Sequence, residues 1–171
     1  EAYNGKEVDY SDLSKISVPT KTRSYVPISY TDLVDSVVKA SDDILTDLFQ
    51  QESSQYVLAR ENQHFFGLHT YRNGETGMKM AIGFRNSYNK QMSVGLACGS
   101  QVMVCTNLMI TGDVFVMRKN TTNAPEDLYP LIENAVTTAS DSYNKALDIR
   151  DKSKRIYMSE ERAYRHLGLI A

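Results

Sequence analysis

Two neighbouring stretches of this chain alternate with a period of two. Met78, Met80, Ile82 and Phe84 interleave with Lys79, Ala81, Gly83 and Arg85. Met92, Val94, Leu96 and Cys98 interleave with Ser93, Gly95, Ala97 and Gly99. Successive side chains of a strand point to opposite faces, so each stretch predicts a strand with one face on a core. The polar segment Asn86 to Gln91 joins them as a turn, which makes the pair a hairpin. Tyr56-Val57-Leu58 and Phe65-Phe66-Gly67-Leu68, either side of Glu61-Asn62-Gln63, predict an earlier hairpin. Gln101 to Cys105 and Asp113 to Arg118 predict further strands, split by Thr111-Gly112-Asp113. Short connections between successive strands imply a twisted, mainly antiparallel sheet over about residues 55–118.

The flanks change period. Over 30–49, Leu33, Val37, Ile44 and Leu48 recur at helical spacing, and Ser29 stands ready to cap with Asp32 three positions on. Asp35, Asp42, Asp43 and Asp47 form the solvated side of that helix. A long C-terminal helix is expected over about 127–150, striped by Ile132, Val136, Ala139, Tyr143 and Ala146, with Pro130 confined to its first turn. Ser159 predicts a short helix over 160–167, stopped by Gly168. Residues 1–27, with Val18-Pro19 and Val26-Pro27, read as an extended arm, and 28–171 as a single α+β domain. The apolar Leu169-Ile170 finish is expected to be docked, or continued in a longer protein.

The charges are unevenly spread. The chain of 171 residues has a formal net charge of −2, which argues against a dedicated duplex-DNA binder. Residues 1–59 hold five Lys/Arg against ten Asp/Glu, whereas 60–90 hold five cations against two acids. Lys79, Arg85 and Lys90 fall around the second side of the central hairpin, where Ala81, Gly83, Ser93, Gly95 and Ala97 are all small. Small residues inside a strand often mark a close approach by a backbone or ligand. With Tyr71 and Tyr88 nearby, the pattern fits a shallow groove for single-stranded nucleic acid, held by backbone charge and base stacking. The competing reading is that the 130–150 helix packs on this small-residue face.

No phosphate loop, zinc-ligand pattern, nucleophile elbow or paired-cysteine motif occurs, and nothing asks for a cofactor or metal. An enzyme is therefore not the expected reading. Cys98 and Cys105 sit in apolar runs as small hydrophobes. His64 and His69, five apart, belong on opposite faces of one strand and do not suit a shared metal. No apolar run reaches membrane-spanning length, so no membrane partner is expected and the location is read as the cytoplasm of a bacterial or phage-infected cell.

The middle third resembles phage- and plasmid-encoded proteins grouped as domain of unknown function 932. Gly83-Phe84-Arg85-Asn86-Ser87-Tyr88, Ser93-Val94-Gly95-Leu96-Ala97 and Val102-Met103-Val104-Cys105-Thr106-Asn107-Leu108-Met109 carry the resemblance, followed by the basic step Arg118-Lys119. The family turn commonly has histidine after Asn-Ser, where this chain has Tyr88. The resemblance implies a mobile-element protein and brings no reaction or catalytic residue with it. Asn86 and Asn107 read first as turn residues, and as the place to look for a bound ion if they share a sheet edge with Arg85 and Arg118.

The expected interface is thus Lys79, Arg85, Asn86, Tyr88, Lys90, Arg118 and Lys119, contacting single strands without sequence readout, in a homo-oligomer that adds up shallow sites. The alternative is a non-catalytic protein-interaction or structural module, which the eleven tyrosines suit. If Lys79, Arg85, Arg118 and Lys119 scatter over different faces, the nucleic-acid reading fails and that alternative gains.

Overall fold

The computed structural model describes residues 5–45, 49–74, 79–99, 103–104, 110–121, 123–155 and 159–166. In chain order these form β1 (Lys6–Val8), α1 (Tyr10–Leu13), α2 (Tyr30–Ile44), β2 (Phe49–Ala59), β3 (His64–Asn73), β4 (Lys79–Ser87) and β5 (Val94–Gly99). Then follow β6 (Met103–Val104), β7 (Ile110–Thr111), β8 (Val114–Arg118), α3 (Ala124–Ser153) and α4 (Glu160–His166). Expectations placed on Asp47, Leu48, Glu75, Gly77, Met78, Gln101, Val102, Cys105, Asn107 and Gly168 to Ile170 lie outside the described residues.

The fold is α+β. Six strands make one antiparallel sheet in the order β1-β2-β3-β4-β5-β8, and β6 pairs with β7 in a separate ribbon beside β4 and β5. The alternation in β4 and β5 does what period two requires. Met80, Ile82 and Phe84, with Val94, Leu96 and Cys98, have no exposed surface. They share one core with Leu33, Val34 and Val37 of α2 and Leu128, Ile132, Val136 and Tyr143 of α3. Each such side chain contributes roughly 1.5–3 kcal/mol by leaving water, so this layer dominates stability.

Both long helices therefore lie on the greasy side of the sheet, which overturns the idea of α3 packing on the small residues. The other side has its own small cluster of Ala59, Phe66 and Ala97, flanked by Val57 and Met92, with no helical member. α3 sits where its large seam residues meet large strand residues, since burial of area outweighs close approach.

Two helix boundaries differ from expectation. α2 starts as read, with Ser29 Oγ accepting from the Asp32 backbone N–H at 2.9 Å, but ends at Ile44 rather than 49. Leu45 is already extended (φ −76°, ψ 123°), and Phe49 opens β2, where its ring meets Tyr143 edge-on at 4.9 Å. A strand bond and an aromatic contact outcompete the last helical turn. α3 starts earlier, at Ala124, so Pro125 occupies the first turn and Pro130 lies inside the helix. Within the stretch read as an extended arm, β1 adds an edge strand to β2, and the α1 residue Tyr10 hydrogen-bonds Asp35 of α2 at 2.7 Å.

Gly67 shows how tightly the core side is filled. It pairs with Phe84, and a Cβ there would lie 2.2 Å from two Phe84 ring carbons. That ring is itself held between Phe65 and His69, with centroids 5.9 and 5.0 Å away. Gly67→Ala is expected to cost about 1–3 kcal/mol through overpacking. Gly67→Ala/Phe84→Leu should recover part of the loss in urea unfolding, whereas strictly additive losses would remove the packing explanation.

Candidate nucleic-acid interface

Pairing registers place the residues of the sheet's helix-free side in rows. One row runs Val57, Phe66, Arg85, Gly95 and Met117, and the next runs Gln55, Leu68, Gly83, Ala97 and Phe115. Lys79 closes one end beside Arg72. The floor is small but not bare, for Ala97 has no exposed surface and Gly83 and Gly95 are buried. Gly95 is glycine because Arg85 lies across it: an added Cβ would sit 3.2 Å from Arg85 Nε and 3.6 Å from Met117 Cγ. Arg85 also donates to Met117 Sδ at 3.6 Å. The small residues let Arg85 lie flat on the sheet, partly exposed as a residue but with its Nε buried.

The other expected residues divide. Lys79 is exposed but ion-paired to Glu52 at 2.6 Å. Arg118 pairs with Val94 in register, so it points to the helical side, where it is salt-bridged to Asp127 of α3. Lys119, one residue on, is exposed and joins Lys90 around a cavity of about 430 Å³ that also holds Tyr25, Met92, Ser93 and Asn120. Lys90 Nζ stands 4.6 Å above the Tyr25 ring. Among the described residues, no carboxylate lines this cavity. Met92 belongs to the helix-free side, so the cavity continues the face that carries Arg85. A second cavity, of about 480 Å³ beside β1, is lined by Glu7, Asp9 and Asp12 and would repel a polyanion.

Asn86 and Tyr88 are interior, not rim. Asn86 has no exposed surface. Its Nδ2 donates to the Ile28 carbonyl at 2.8 Å, and its Oδ1 accepts from Asn120 Nδ2 at 2.9 Å and from the Ser87 N–H at 2.8 Å. Tyr88 stacks on Tyr30 at 4.0 Å with planes 6° apart, and its hydroxyl accepts from the Tyr30 N–H. These two residues fasten the start of α2 to the sheet. A turn asparagine and a tyrosine next to a basic strand look the same in sequence whether they face in or out.

Phe115 and Met117, absent from the expected interface, are 44% and 55% exposed on the same face as Arg85. The apolar run Val114 to Met117 holds the only signal, since a strand greasy on both sides must expose one of them.

α2 and α3 hold ten carboxylates against four cations, so in a chain of net charge −2 the remaining residues sum to +4. Among the described residues, no group of three or more His, Cys, Asp or Glu side chains is placed to hold a metal, and no helix is long and apolar enough to cross a membrane. Burial pushes the Cys98 thiol up to about 12, which keeps it protonated and unreactive. Comparison with family models, curated proteins and solved structures finds no match to this chain.

Proposed function

We propose that the chain binds single-stranded nucleic acid without reading its sequence, as an accessory protein of a phage or plasmid. The observation that carries this reading is one face, free of helix among the described residues, that joins Arg85 and exposed Phe115 to the Lys90–Lys119 cavity, while α2 and α3, with ten carboxylates between them, lie behind it. Cations would follow the phosphates, and Phe115 offers the flat surface on which a base stacks. The mobile-element setting rests on the resemblance of the Gly83–Tyr88 and Ser93–Ala97 segments. Compared with the sequence reading, the interface loses Asn86, Tyr88 and Arg118, and Lys79 stands apart at the far end, held by Glu52.

Fluorescence anisotropy with a labelled oligothymidine across a salt series tests it. Arg85→Ala/Lys90→Ala/Lys119→Ala should flatten the log–log salt slope by about 0.7 for each phosphate that is no longer neutralised. Phe115→Ala should cost about 1–3 kcal/mol with the slope unchanged. Affinity indifferent to salt would sink the reading.

Two observations favour the alternative, a protein-interaction module. Arg118, one of the four cations expected on a single face, turns to the helical side, away from Arg85. Phe115 and Met117 expose apolar surface on a strand at the edge of the sheet. That alternative gains if oligonucleotide binding is absent.

A further inference from the structure

The two edges of the main sheet are protected very differently. β1 is three residues long, with Lys6 and Glu7 exposed and Asp9 following it. Short, charged edges resist further pairing. β8 is the opposite edge. It is five residues long, has no proline, and reads Val-Phe-Val-Met before its first charge at Arg118. It pairs with β5 on one side and is last in the sheet order. An edge strand of that composition templates another strand unless something covers it.

We infer that β8 pairs antiparallel with β8 of a second copy of this chain, with Val116 on the two-fold axis. The argument is complementarity along the strand. Centred on Val116, the pairing sets residue 115 opposite 117 and residue 113 opposite 119. Each Phe115 then meets a Met117 on the helix-free face, a favourable sulfur–aromatic cross-strand pair that occurs twice by symmetry. Each Lys119 likewise meets an Asp113, and both are exposed in the single chain. No like charges face each other at any position of this register. The two Arg85 rows join into one surface, which doubles the length of the face without any new element. The pairing stands independently of nucleic-acid binding, because its determinants are measured on the protein alone.

Sedimentation of the full chain without nucleic acid tests it. At high micromolar concentration the wild-type chain should run at twice its mass of 19.3 kDa. Phe115→Lys/Met117→Lys should run at the single mass with an unchanged circular dichroism spectrum, since both side chains are exposed. Lys119→Asp and Asp113→Lys should each weaken self-association about tenfold, and mixing the two variants should restore it. If the double lysine variant does not fold, the charge-swapped pair decides. A wild-type chain that stays monomeric, a dimer that survives the lysines, or a mixture that fails to recover would each overturn the pairing.

Discussion

Tyr88→Ala is expected to lower stability by about 3–5 kcal/mol and to leave the oligonucleotide salt slope of the folded fraction unchanged. The ring is only 4% exposed and lies flat against Tyr30, which in turn stacks on Phe65 at 4.8 Å. Removing it opens a cavity at one end of a three-ring column whose middle ring is Tyr30. It also strips the Tyr30 N–H, in the first turn of α2, of its acceptor. Tyr88→Phe separates the two contributions. It keeps the stack and removes only the hydroxyl, so it should cost about 1–2 kcal/mol. Urea unfolding monitored by circular dichroism measures both. If Tyr88→Ala instead weakened oligonucleotide binding at unchanged stability, the ring would belong to the interface after all.

Acid should unfold this protein through His69. The imidazole has no exposed surface, and burial lowers its pKa from 6.5 to about 4. Tyr56 Oη shares a hydrogen bond with Nε2 at 2.9 Å, and Tyr71 Oη approaches Nδ1 at 3.5 Å. Neither neighbour carries a charge that would favour the imidazolium. A histidine whose folded pKa is depressed binds fewer protons folded than unfolded between the two pKa values. Its contribution is therefore intact above about pH 6.5 and drains away as pH falls toward about 4, a loss of about 3 kcal/mol. His64, lowered in the same direction by burial, adds to the loss. Denaturant unfolding across this window, compared with His69→Gln, is the check. The variant should be weaker at neutral pH but should flatten the pH dependence. An equally steep loss in His69→Gln would assign the acid sensitivity to other groups.

Much of the architecture is legible because it rests on periodicity. Alternation in β4 and β5 names the core face residue by residue, and the Ser29 cap fixes where α2 begins. What periodicity does not contain is register. Arg118 and Lys119 are adjacent in sequence, yet the pairing of Arg118 with Val94 sends one to α3 and leaves the other at the cavity. No local pattern reveals that parity. Burial of polar side chains is hidden for the same reason. Asn86 reads as an exposed turn residue, but its partners Ile28 and Asn120 are 58 and 34 positions away. The small-residue face is visibly unusual in the sequence, but its occupant is not: an arginine from the neighbouring strand lies there instead of a helix. The end of α2 escapes the helical pattern because Phe49 continues the apolar stripe while belonging to β2.

The excess of carboxylates on α2 and α3, ten against four cations, gives the molecule an electric moment although its formal charge is only −2. Such a moment feels a torque in any external field, before any contact forms. Near a polyanion that torque turns the two acidic helices away. Under the proposed function, copies bound along one strand would share an orientation, each with its two acidic helices turned to the solvent.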